Sequence, residues 1–216
     1  MLSRFSPFLM SSSEADIRAD VTLNSRLVLA RSENMVVSYA PFENLEPRAK
    51  VVIVGITPGE QQARNGLIEL RRQLLAGSDL PTALAKAKVF ASFSGAMRVN
   101  LVAMLDHIGL HRWVGVDSIS ELWEGRSELV HFTSALRYPV FVGGKNYSGQ
   151  PSITKTPILL DLLRTCLLEE ALALVGAIWI PLGTVATGAV EWVVRQGILK
   201  PQNVLVGLPH PSGASA

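Results

Sequence analysis

Hydrophobic positions along the chain fall into two rhythms. Four short runs rich in valine and isoleucine, Val51 to Gly55, Leu129 to Thr133, Ala177 to Pro181 and Asn203 to Gly207, lack the every-second-residue break of a half-exposed strand. Their length and continuity predict strands buried on both faces. Between them, apolar residues recur at helical spacing over Gln62 to Leu75, Leu80 to Lys88, Ala96 to Ile108, Pro157 to Leu174 and Val185 to Arg195. That period predicts amphipathic helices. One more helix is predicted over Glu14 to Ser32, with Ser11-Ser12-Ser13 as capping residues at its start. Strands that alternate with helices imply parallel pairing and right-handed crossovers. The predicted fold is therefore α/β, a three-layer α/β/α sandwich around a four-stranded parallel sheet.

In such a sheet ligands bind beyond the carboxyl ends of the strands. The loops leaving the four runs are Gly55-Ile56-Thr57-Pro58-Gly59-Glu60, Ser134-Ala135-Leu136-Arg137-Tyr138-Pro139, Leu182-Gly183-Thr184 and Leu208-Pro209-His210-Pro211-Ser212-Gly213. All four are rich in glycine, proline or polar residues, and all are expected on one edge. With 216 residues, 48% of them hydrophobic, the chain is long enough for one sizeable core, and a single domain over 1–216 is expected. A net charge of +2 means that any nucleic-acid contact uses a local basic face.

The one cysteine, Cys166, lies in an apolar run, which excludes a disulfide within the chain and any all-cysteine metal or iron–sulfur site. It is expected as a buried thiol in a reducing compartment. No apolar run reaches the roughly 18 residues of a membrane span, and Pro7 interrupts the N-terminal stretch, so a cytoplasmic protein without a secretory signal is expected. His107 and His111 have a spacing that can bind metal on a helix, but Gly109 between them marks a helix end and no third ligand is evident. No metal site is expected. The four tryptophans, Trp113, Trp123, Trp179 and Trp192, are expected in the core or packed against it.

Gly55-Ile56-Thr57-Pro58-Gly59 after the first run and His210-Pro211-Ser212-Gly213 after the last resemble, in that order, the two signature motifs of the uracil-DNA glycosylase superfamily. Val130-His131-Phe132-Thr133-Ser134-Ala135-Leu136-Arg137 is similar to the family's second-strand motif, and Ile180 to Ala186 to its third strand and following helix. The resemblance implies an enzyme that flips a base out of DNA and hydrolyses its N-glycosidic bond, with no cofactor. It implies that His210 hydrogen-bonds the base oxygen as it becomes anionic, and that Pro58, Pro211, Ser212 and Gly213 engage the DNA backbone. Gly59 admits the backbone closely to the base, with the amides of Ile56 and Thr57 facing it. A monomer acting on DNA, in base excision and repair, is the expectation.

Three departures bear on activity. The family's water-activating Asp or Asn falls on Thr57, a poor base that can at best orient a water. Glu60 is the nearest carboxylate, and Gln61 and Gln62 the nearest amides. Ser134 stands where most relatives read uracil with an Asn. Leu67 to Phe93 is an insert where relatives carry a short turn with a stacking aromatic, which leaves Phe93 or Phe90 as the stacking candidate. With Arg64, Arg71 and Arg72 opposite its apolar face, the insert is expected to roof a wider pocket, or else to be a surface decoration. The sequence given stops at Ala216, where those relatives continue into a wedge loop, so the wedge is expected either beyond that point or on another element. Uracil is the default substrate, and a bulky hypermodified base such as those in phage DNA is the alternative. A second class is a module that binds a damaged base without cutting, which Thr57 permits. A lyase step is not expected, because neither motif carries a lysine.

Overall fold

The computed structural model describes residues 2–23 and 25–212. Two helices, α1 (Leu2–Ser11) and α2 (Glu14–Leu23), are followed by a hairpin of β1 (Val28–Ser32) and β2 (Met35–Ser38). The helix expected over Glu14 to Ser32 is therefore too long. Asp20 is the reason: its buried carboxylate accepts hydrogen bonds from the Ser25 hydroxyl and from the amides of Arg26 and Leu27, which turns the chain out of the helix. Next come β3 (Val51–Gly55), α3 (Glu60–Leu75), α4 (Leu80–Ala91), α5 (Ala96–His107), α6 (Leu110–Val114) and β4 (Val130–Ser134). A second hairpin, β5 (Val140–Val142) and β6 (Lys145–Asn146), leads to α7 (Pro157–Leu162), a π-helical turn over Leu163–Leu167 and α8 (Leu168–Ala173). Then β7 (Ile178–Pro181) feeds α9 (Gly183–Arg195).

The chain is mixed α/β, but its strands divide between two sheets. One is parallel, in the order β4-β3-β7, and the other is antiparallel, in the order β1-β2-β5-β6. The expected four-stranded parallel sheet is corrected to three strands. The fourth run contributes a single parallel bridge, Val204 to Trp179, with the Leu205 amide donating to the Trp179 carbonyl at 2.8 Å. Gly207, at φ +97°, leaves the extended region and stops the pairing there.

All five residues of β3 are buried, as its unbroken apolar run requires. Val52 and Val54 face one core with Leu67, Leu70, Leu163 and Val190, whereas Val51 and Ile53 face the other with Leu101, Leu105 and Phe132. Both faces of the parallel sheet are thus covered by helices. Trp179 is buried and Trp123 stacks on Phe132 at 4.4 Å, but Trp113 is exposed and departs from the expected packing role. No described helix is long and apolar enough to cross a membrane.

Beneath β4 lies a buried polar cluster. Glu170 accepts hydrogen bonds from Thr133 Oγ1 at 2.6 Å and from Arg137 at 2.9 Å, and its other near neighbour is His131, whose Nε2 lies 3.5 Å away. The Lys88 ammonium is buried close by and donates to the Asn44 carbonyl at 2.6 Å. Burial pulls Lys88 down to about 8. Burial would raise the Glu170 carboxyl, yet His131, Lys88 and Arg137 outweigh it and hold it well below the usual carboxylate range. This stabilisation is present above the ordinary carboxylate pKa of about 4.3 and is lost as pH falls below it. Glu170→Ala strands buried positive charge, and urea unfolding at neutral pH should show a loss of about 3–5 kcal/mol. A loss below about 1 kcal/mol would contradict the cluster's structural role.

Candidate active site

The loops at the carboxyl edge of the parallel sheet meet at a cleft of about 330 Å³. The first motif contributes Ile56, Thr57 and Gly59, the first turn of α3 contributes Gln62, and α5 contributes Met97. On the opposite side stand Asn146, Tyr147 and Ser148 from the end of β6 and its following loop, and His210 and Ser212 from the last motif. Thus Ile56, Thr57, Gly59, His210 and Ser212 are brought together across more than 150 residues of chain. Pro58 and Pro211 are buried beside them, and Gly213 lies outside the described residues. A larger cavity of about 450 Å³ runs along Val130–Phe132 of β4 beside Lys88 and Glu69, but no residue of the first or the last motif lines it.

Gly183 sets the position of the last motif. Its amide donates to the Leu208 carbonyl at 2.9 Å, its φ is +79°, and a Cβ there would lie 3.2 Å from His210 Cβ. Only glycine suits both the backbone conformation and the close approach. From the other side, Asn100 of α5 donates to the Pro211 carbonyl at 2.9 Å. His210 is half-buried, and burial lowers its pKa, which favours the neutral ring. Its Nδ1 accepts from the Ser212 amide at 3.3 Å, so the neutral ring carries its proton on Nε2. The imidazole therefore has a donor to offer a ligand.

Thr57 has a different task. Its hydroxyl donates to the Tyr138 carbonyl at 2.9 Å and accepts from the Val140 amide at 3.2 Å, tying the first motif to the start of β5. One lone pair of the hydroxyl is left for a ligand or water. Glu60 is turned away from the cleft: its carboxylate pairs with Arg64, and its amide donates to Asn146 Oδ1 at 3.0 Å. Gly59 packs against that cap, with a Cβ there reaching van der Waals contact with Asn146 Nδ2 at 3.4 Å. Asn146 and Ser148 had no motif to announce them. Only the pairing of β5 with β2 and β6 brings them to the cleft.

Ser134 and Phe93 line a smaller cavity behind the cleft, about 10 Å³, with Thr133, Arg137 and Gln62. The Phe93 ring would lie 3.5 Å from a Cβ on Gly55, and Ser134 Oγ 3.4 Å. Phe93 itself sits at φ +51°, a conformation that costs a bulky residue on the order of 1–3 kcal/mol. Its neighbours hold it there: Arg98 donates to the Phe90 and Ser92 carbonyls, Trp123 Nε1 donates to Ser92, and Asn65 donates to Ser94 Oγ. Phe90, the alternative stacking residue, is exposed and lines the larger cavity instead.

The insert does not roof the cleft. None of its residues lines the cleft and only Ser92 and Phe93, at its far end, border the smaller cavity, while Arg71 donates to the Leu9 carbonyl of α1 and Arg64 donates to the Arg18 carbonyl of α2. These arginines fasten the N-terminal helices to α3. Among the described residues no group of three His, Cys, Asp or Glu is placed to hold a metal ion.

Over 190 residues the chain is 37% identical to Uncharacterized protein YoxB of Bacillus subtilis (strain 168), a match that covers 87% of this chain and 74% of that protein. The chain belongs to the YoxB family. No family model and no solved structure matches it. In this YoxB-family chain the hydroxyl of Thr57 is a structural tie, and its removal has a defined cost. Thr57→Val leaves the Tyr138 carbonyl and Val140 amide without that partner and should lower stability by about 1–3 kcal/mol in urea unfolding, whereas Thr57→Ser should stay near wild type. Equal losses in both variants would refute the tie.

Proposed function

We propose that the chain is a monofunctional DNA glycosylase that takes a flipped uracil or modified pyrimidine into the cleft and hydrolyses its bond to the sugar. The observation that carries this reading is the neutral, half-buried His210 imidazole, held with Nε2–H available beside the first-motif loop. As the bond between the sugar C1′ and the base nitrogen breaks, its electron pair moves onto the base and its ring oxygen becomes anionic. A fixed neutral donor stabilises that oxygen more in the transition state than in the ground state. Water then bonds to C1′, and its released proton balances the charge on the departing base.

No general base assists that water in this reading. Thr57 offers one lone pair, Asn146 and Ser148 offer polar atoms, and among the described residues no carboxylate lines the cleft. Catalysis then rests on leaving-group stabilisation and positioning, and excision is slow. The same lack of a carboxylate favours a second reading, a module that binds a damaged base without cutting it. The partner in both readings is DNA, and the acting species is a monomer.

The test is incubation with duplexes and single strands that contain uracil, mismatched thymine or 5-substituted pyrimidines, followed by alkali to reveal abasic sites. Excision of at least one base is expected. His210→Ala should reduce kcat on the order of 100-fold, about 3 kcal/mol, with little change in DNA affinity. Because burial lowers the His210 pKa, the rate should hold above about pH 6.5 and fall only at more acid pH. Binding without any excision supports the second reading, and neither binding nor excision overturns both.

A further inference from the structure

Gln62 occupies a place that no other side chain shares: it lines both the open cleft and the small cavity behind it. It is a buried polar residue, 9% exposed, on the first turn of α3. Among the described residues its side-chain amide makes no hydrogen bond. Its amide lines the open cleft rather than a sealed interior, which leaves both its donor and its acceptor available to a ligand there.

Ser134, by contrast, borders only the rear cavity, whose 10 Å³ admits about one water and no pyrimidine ring. A base entering from the cleft meets Gln62 before it can reach that hydroxyl. We propose that Gln62 is the residue that reads the base, its amide pairing with the edge of a pyrimidine held in the cleft. The ligand class is a pyrimidine that presents a ring N–H beside a carbonyl: the Gln62 carbonyl accepts from the N–H and its NH₂ donates to the oxygen. The role that the family resemblance gives to Ser134 passes to α3. Gln62 and His210 then bind opposite parts of one base, the first selecting it and the second serving its departure. This inference rests on the proposed base-binding function of the cleft.

The test uses free base analogues, so that it does not depend on excision. 1-Methyluracil mimics a base attached to sugar and leaves the reading edge open, and 1,3-dimethyluracil blocks that edge with one methyl group. In ¹H–¹⁵N spectra of the protein, the Gln62 side-chain NH₂ pair should shift on titration with 1-methyluracil. The dimethyl analogue should bind at least tenfold more weakly. Gln62→Met, close in volume, should lose at least tenfold in affinity for 1-methyluracil, while Ser134→Ala should retain it. The unchanged remainder of the spectrum reports that the variant is folded, and the wild-type titration stands without it. No binding of 1-methyluracil, equal binding of the two analogues, or an unmoved Gln62 pair while other cleft residues shift would each overturn the proposal. If the protein excises bases but Gln62 stays silent, this inference fails alone. If Gln62 answers the methyl test and no base is excised, the glycosylase reading fails alone.

Discussion

The Thr57 hydroxyl joins the two sheets at the point where the cleft forms. It belongs to the loop that leaves β3 at the centre of the parallel sheet, and both its partners, the Tyr138 carbonyl and the Val140 amide, lie at the start of β5 in the antiparallel sheet. Together with the Leu136 amide on the Ile56 carbonyl and the Asn146 cap at the Glu60 amide, that tie fixes the β5–β6 hairpin against the first motif. A carboxylate in the same position would meet the Tyr138 carbonyl as one acceptor facing another. The residue type is thus set by the packing of two sheets before any chemistry is asked of it.

That constraint shifts the chemical burden to the other wall of the cleft. Gly183 allows the last motif to approach within van der Waals contact, Asn100 holds Pro211, and the Ser212 amide fixes which nitrogen of His210 carries the proton. Burial keeps that ring neutral. A neutral donor does not bring a full positive charge into a partly dry site, so it carries less desolvation penalty while still strengthening its hydrogen bond as the base becomes anionic. The polar cluster around Glu170 supports the same strand from beneath, through Thr133 and Arg137 on either side of Ser134.

Much of the parallel sheet was legible because β3, β4 and β7 are buried on both faces, and such strands read as unbroken apolar runs. The two motifs were legible because glycine and proline at strand ends answer to local backbone needs that distant residues do not alter. Local pattern did not reach the antiparallel sheet. Val140–Val142 has three residues and Lys145–Asn146 two, too few to show a period, and Met35–Ser38, the partner of Val140–Val142, lies about a hundred residues away in the chain. For the same reason Asn146 and Ser148 carried no signal. The run after Asn203 misled because its apolar composition suits a strand while Gly207 adopts a backbone angle that ends one. Phe93 stands out in the sequence as an aromatic candidate, but its strained backbone and its place behind the cleft rather than in it go with the contacts of Arg98 and Trp123, which no motif marks.

The proposed chemistry turns on the state of one ring. Long-range ¹H–¹⁵N correlation spectra of the imidazoles resolve protonation and tautomer directly, and a His210→Gln variant assigns the signal. At pH 7 His210 should be neutral with an unprotonated Nδ1 and a protonated Nε2, and should stay mainly neutral as the pH is lowered to about 6.5, the ordinary imidazole value. A charged His210 at pH 7, or a neutral ring with its proton on Nδ1, would contradict the proposed chemistry.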